Sequence, residues 1–177
     1  MEILAEQRDY TYTLSAEGGA TTVENFLTTY PEMDSILVGS LGCFTIPGIM
    51  QSLEALGRDD IKVSVIEFST DMDTYFDSGK MIFSTGHNVN GAIYMAIAVA
   101  NAIQGTPLSE DKILICDKMI NIDNTEDHVF FKDYLYSPVY EVDELKNCLQ
   151  LTNPDFTLAS LEEMSEAYTF DWWKARH

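Results

Sequence analysis

Seven residues in three short stretches carry the side chains best suited to chemistry: Cys43 and Phe44, then Glu67, Ser69 and Asp71, then His87 and Asn88. Carboxylate, hydroxyl, imidazole and amide groups can hydrogen-bond a polar ligand, and Phe44 offers a flat apolar face. A second chemistry is conceivable, since Cys43 and His87 are the types that form a thiolate–imidazole pair. No third residue stands out to orient the imidazole, however, and Gly39-Ser-Leu-Gly-Cys43 does not meet the Gly-x-Ser-x-Gly spacing of a nucleophile turn. Asn121, Asp123, Thr125 and Asp127 alternate like calcium ligands, but no glycine follows at the sixth position and no glutamate at the twelfth. That stretch reads as a solvated acidic turn, and no metal or cofactor is implied. Structural roles compete for several of the seven. Asp71 and Asn88 are helix-capping types, His87 can bond to backbone, and Phe44 can fill the edge of a core.

These stretches are all loops of one repeated pattern. Ser35-Ile-Leu-Val-Gly39, Lys62-Val-Ser-Val-Ile66 and Met81-Ile-Phe-Ser84 read as short apolar strands, each leading through a polar or glycine-bearing loop into a helix-like segment. Gly57, Gly79 and Gly105 close those helices. Strand, loop and helix in this order predict a parallel sheet, and in such sheets ligands bind at the carboxyl ends of the strands. An earlier helix is expected from a cap at Thr21 or Thr22 to Pro31. The second helix is expected to open near Thr45 with Pro47 in its first turn. The third spans Asp71 to Ser78, and the fourth, Asn90 to Gln104, is alanine-rich and apolar enough to be covered on both flanks. Lys112 to Ile122 reads as a buried strand that encloses Cys116, and Tyr10 to Leu14 as a β-rich run. Beyond Asp123 the sequence turns acidic and aromatic. Helices are expected over Val142 to Leu151 and over Leu158 to Tyr168, the latter capped by Thr157 or Ser160, with Trp172 and Trp173 buried. The fold class is α/β: a mostly parallel central sheet with helices on both faces, plus an α-helical C-terminal tail.

With 177 residues the chain is long enough for one domain and an appendage. Its 29 acidic and 10 basic residues give a formal charge of −19, which repels phosphate backbones and anionic lipid, so nucleic acid is excluded as a partner. Three widely spaced cysteines form neither a zinc framework nor a disulfide scaffold. No signal peptide and no run long enough to cross a bilayer is present.

The order of segments resembles the carboxy-terminal lobe of type 1 periplasmic binding proteins, the sugar receptors of ABC transporters, a fold shared with the ligand-binding domain of lactose-repressor-type regulators. Tyr30-Pro-Glu-Met-Asp34 before Ser35-Ile-Leu-Val38, Leu53-Glu-Ala-Leu-Gly57, Val63-Ser-Val-Ile66, Asp77-Ser-Gly79, Phe83-Ser-Thr85 and Gly105-Thr-Pro107 match the family pattern in order. The resemblance departs from that pattern where ligands are held. Gly42-Cys43 stands where Asn-Asp is common, the family aspartate falls on Glu67 or Ser69, and the family glutamine corresponds best to His87. It implies residues 1–122 as the lobe and 123–177 as a hinge-like segment and an aromatic tail packed on the lobe or a partner. It also implies non-catalytic capture of a sugar-like small molecule between two lobes. The partners would be the missing amino-terminal lobe and a membrane permease, with a homodimer as a further possibility, in an extracytoplasmic parent protein. One lobe alone supplies half the contacts, so little or no affinity is expected of it. The alternatives are an effector-sensing domain of a transcription regulator, and a self-associating module without a ligand.

Overall fold

A computed structural model of the protein describes residues 2–8, 14–39, 41–87 and 90–177. Of the β-rich run expected over Tyr10 to Leu14 all but Leu14 lies outside them, as do Ser40 and Asn88. The chain forms two compact units, Met1–Gly86 with Asn121–Lys132, and His87–Ile120 with Asp133–His177.

The first unit is built on strands β1 (Ser35–Val38), β2 (Lys62–Ile66) and β3 (Met81–Gly86), joined in the order β1-β2-β3-β4 by β4 (Ile120–Ile122). β1 pairs with β2 and β2 with β3 in parallel, with Ser35 opposite Lys62 and an irregularity between Val63 and Ser64. This is an α/β fold with a mostly parallel sheet, as the strand–loop–helix pattern predicts. Helix α1 (Ala16–Thr29) starts earlier than its threonines suggest, because the Ser15 side chain accepts from the Gly18 N–H and caps it. Helix α2 (Gly42–Ala55) likewise starts at Gly42, which leaves Pro47 in the helix interior rather than the first turn.

These two helices meet at a notch of glycines. A Cβ on Gly48 would lie 1.7 Å from the Ala16 carbonyl oxygen, and one on Gly19 would lie 2.6 Å from that of Thr45. Backbone against backbone leaves nothing that could rotate away. The Ser52 hydroxyl donates to Glu24 across the same pair at 2.9 Å. Under them Ile46, Leu53, Ile61, Val63 and Val65 are buried. Helix α3 (Met72–Asp77) buries Met72 and Phe76. Helix α5 (Thr125–Tyr134) occupies the stretch expected to be an acidic turn; Glu126 and Asp127 fall in its first turn, where negative charge favours a helix.

The second unit gathers α4 (Asn90–Ile103), α6 (Val142–Asn147), α7 (Leu158–Ala167) and α8 (Phe170–Lys174) around Tyr94, Ile97, Tyr140, Cys148, Phe156 and Leu161. Thr157 caps α7 as expected, accepting from the Ser160 N–H. Trp173 is fully buried and Trp172 partly. Two expectations are corrected here. From Lys112 to Met119 the chain is irregular, with strand only at Ile120–Ile122, and Leu114 and Cys116 are exposed. An apolar run this short specifies extended backbone but not a ladder partner. Helix α4 is covered on one flank only: Tyr94, Ile97 and Asn101 are buried, while Met95, Val99 and Ile103 stand in solvent.

Candidate functional site

In each of the three strand-to-helix loops one non-glycine residue adopts a left-handed backbone: Leu41 after β1 (φ 48°), Glu67 after β2 (φ 83°) and His87 after β3 (φ 58°). They are the positive-φ non-glycine residues among those described. Such strain persists only where surrounding structure enforces it, and it clusters at binding and catalytic sites.

What enforces it at Glu67 is visible in the first unit. Its N–H donates to the Thr85 carbonyl and its own carbonyl accepts from the Ser84 hydroxyl at 3.1 Å. Gly86 lies flush against it, since a Cβ there would come within 3.0 Å of Glu67 Cα and 3.2 Å of the Phe68 ring. With its backbone clamped from both sides, Glu67 directs its carboxylate to Cys43, whose thiol donates to Oε2 at 3.4 Å. The other side of that contact is fixed by Gly42, because a Cβ there would fall 1.9 Å from Val65 Cγ2 and 2.9 Å from the Ile66 carbonyl oxygen. Leu41 supplies no side-chain cap to α2, and the Phe44 N–H turns back to the Leu41 carbonyl at 3.1 Å.

Burial pushes the Cys43 thiol above its ordinary pKa, and the neighbouring Glu67 carboxylate pushes it the same way. Backbone N–H groups of Cys43 and Phe44 oppose that shift without reversing it. Both influences favour the protonated thiol that donates to Glu67. Phe44, next in the helix, is 57% exposed and free to offer its ring face. So the carboxylate and the thiol meet at the carboxyl ends of β1 and β2, and the exposed Phe44 follows Cys43 in the first turn of α2. Such a carboxylate can accept from the hydroxyls of a polar ligand.

The remaining predicted residues behave differently. The Ser69 hydroxyl is shielded from solvent and makes no hydrogen bond, so it is not presented to the surface. Asp71 is exposed and occupies the N-cap position of α3 without a side-chain capping bond, so the capping role open to it is not realised. In the second unit the His87 Nδ1 lies 2.8 Å from the Tyr168 hydroxyl and the ring meets Trp173 edge-on at 6.2 Å. Burial holds the His87 imidazole below its ordinary pKa. Asn88 lies outside the described residues. Sequence reasoning missed His128, buried on α5 among Phe68, Phe76 and Phe131, with Nδ1 unpartnered. A histidine four residues after Asn124 and next to apolar Val129 was the available signal. Within the described residues no set of three His, Cys, Asp or Glu side chains is arranged to hold a metal ion. No helix among them is long and apolar enough to cross a membrane.

No protein-family model matches the sequence, and no curated protein matches it. Among solved structures, the chain is similar to a 5-methylthioribose transporter solute-binding protein from Thermotoga lettingae, with a TM-score of 0.54 and 17% identity over 95% of this chain and 50% of that one. It is also similar to a protein from Mycobacterium smegmatis, with a TM-score of 0.54 and 20% identity over 83% of this chain and 48% of that one. The chain thus spans about half the length of the structures it matches. The likeness is one of fold, an α/β architecture with a mostly parallel sheet, and the Cys43–Glu67 pair sits where strands β1 and β2 end.

Proposed function

We propose that this chain is the carboxy-terminal lobe of an extracytoplasmic solute-binding protein that captures a small sugar-like ligand for an ABC-transporter permease, without catalysis. The observation that carries the reading is the clamped Glu67, whose carboxylate meets the Cys43 thiol at the strand ends of the sheet, with the exposed Phe44 next in the chain after Cys43. A carboxylate that accepts from ligand hydroxyls and a ring that covers the apolar sugar face are the pair such capture needs. Cys43, Phe44 and Glu67 are the proposed contacts, and Asp71 lies on the loop that follows. Residues 1–122 would form the lobe, and 123–177 the return segment and tail. The protonated thiol of Cys43 suits a donor to a ligand oxygen rather than a nucleophile. Closure against a second lobe would complete the contacts, so one lobe alone binds weakly.

Saturation-transfer NMR with a panel of pentoses and hexoses tests the reading, because it detects weak binding. Transfer to at least one sugar is expected, reduced by Phe44→Ala and abolished by Glu67→Gln, with no change in the sugar itself. Absence of transfer from every sugar, or turnover of one of them, overturns it.

A further inference from the structure

We propose that His128 is a positioning residue for the Glu67 carboxylate, acting through Phe68 and linking the site to pH. This deepens the solute-binding reading and rests on it for what the site holds. Phe68 follows the left-handed Glu67 directly, so a fixed Phe68 ring holds the Glu67 backbone as well. The seat of that ring is on α5. Phe68 lies 4.5 Å from Phe131 and 6.3 Å from His128, and Phe76 of α3 meets the same imidazole at 6.2 Å, ring centre to ring centre. His128 and Phe131 are 1% and 2% exposed. Polar ties fasten α5 to the loop and to α3. Lys132 Nζ donates to the Thr70 carbonyl at 3.4 Å and to Asp73 Oδ2 at 2.7 Å, and the Thr125 hydroxyl donates to Asp77 Oδ1 at 2.6 Å.

The seat suits a neutral imidazole. His128 Nδ1 has no hydrogen-bond partner. Protonation makes both ring nitrogens donors, which leaves Nδ1 a buried N–H without an acceptor and puts a charge among three phenyl rings. Burial accordingly holds His128 below its ordinary pKa, and of the charged groups that face it, Lys132, one turn along α5, acts in the same direction. Asp73 of α3 and the Ser69 backbone oppose that shift without reversing it, and Asp73 is itself engaged by Lys132. The proton therefore favours any arrangement in which water reaches the ring, and α5 must part from Phe68 to allow it. Phe68 then loses its seat, and Glu67 is free to leave Cys43. The seated loop prevails near neutrality, and capture weakens as pH falls below the ordinary imidazole range.

Amide NMR of the whole chain from pH 7.5 to 5, with the His128 ring followed alongside, tests the link. The Glu67 and Phe68 resonances should move with the midpoint of the His128 ring. In His128→Phe, which keeps a ring in the aromatic seat, that movement should be lost. Lys132→Gln removes the opposing ammonium, so the Glu67 midpoint should rise by about half a pH unit, a shift that mere loosening of the fold does not produce. Saturation transfer to the pentoses and hexoses should fall severalfold over the same pH range in the natural chain and hold steady in His128→Phe. Glu67 resonances that ignore the His128 midpoint overturn the proposal, as does a pH dependence that persists in His128→Phe. An unshifted midpoint in Lys132→Gln overturns it too, whether or not His128→Phe folds. Transfer to no sugar at any pH, with Glu67 still following His128, overturns the solute reading instead and leaves the positioning role standing.

Discussion

The two units of this protein are held together by different means. In the first, backbone does most of the work: parallel ladders join β1 to β2 and β2 to β3, α1 and α2 cross at a notch of glycines, and the core between is aliphatic. In the second, side chains stitch segments that have no ladder. The Asn101 amide donates to the Ile97 and Cys148 carbonyls at 3.0 and 2.9 Å, and its oxygen accepts from the Gln150 N–H at 2.8 Å. The Ser165 hydroxyl donates to the Cys116 carbonyl at 2.9 Å, and the Tyr94 and Tyr140 hydroxyls meet at 3.1 Å. Buried irregular backbone must be satisfied by something, and where no strand is adjacent a polar side chain takes that role. The lesson is that a unit poor in regular structure depends on a few individual residues, while one rich in it depends on close backbone approach.

The contrast can be broken most forcefully at the glycine notch. Gly48→Ala would drive a methyl group into the Ala16 backbone, and a loss of about 3 kcal/mol or more is expected, read as a fall in the thermal unfolding midpoint. Hydrogen exchange should quicken mainly across 16–86; an unchanged midpoint would end the account of the first unit. Next comes Asn101→Ala, which strands one N–H and one carbonyl in a buried site and should cost about 2–3 kcal/mol, measured by urea denaturation. A cost below about 0.5 kcal/mol would mean that side-chain stitching is not what holds the second unit.

The smallest effect is a pH dependence. His128 is buried on α5, faces Asp73 and Lys132, and is held below its ordinary pKa chiefly by that burial. The unfolded chain therefore binds a proton at about pH 6.5 that the folded chain resists. Stability is full above that value and declines as pH falls below it. The urea midpoint followed from pH 7.5 to 5 should fall less steeply in His128→Phe than in the natural chain, and identical slopes would refute the assignment.

Much of the first unit was readable in the sequence because local signals and the fold agree there. Apolar tetrads and pentads give β1 to β3, and Gly57 and Gly79 end α2 and α3 with the positive φ that such positions require. The second unit resisted for a physical reason. In Lys112 to Met119 nothing local tells an extended segment fastened by one serine from a strand in a ladder, so Cys116 was expected inside and lies outside. The all-round apolar character of α4 reads as burial on both flanks, although burial depends on neighbours the helix does not encode. At the site, loop membership was legible and contact was not. Cys43 and Glu67 are 24 residues apart, and glutamate gives no hint of a left-handed backbone, which is imposed by Ser84, Thr85 and Gly86 of the adjoining strand. Helix α5 was hidden by its acidic start, which resembles a turn unless read against the helix dipole.

The exposure of Cys116 has a practical consequence. Of the three thiols, Cys148 is buried and Cys43 is committed to Glu67, both shifted toward the unreactive protonated form, whereas Cys116 opens to solvent on an irregular segment. A maleimide fluorophore or nitroxide spin label offered in limiting amount would therefore attach at one place without any mutagenesis. That place lies next to Asp117, whose carboxylate holds the first turn of α4 through the Gly91 N–H. The natural chain thus carries its own reporter position, from which the environment of α4 can be followed spectroscopically in real time.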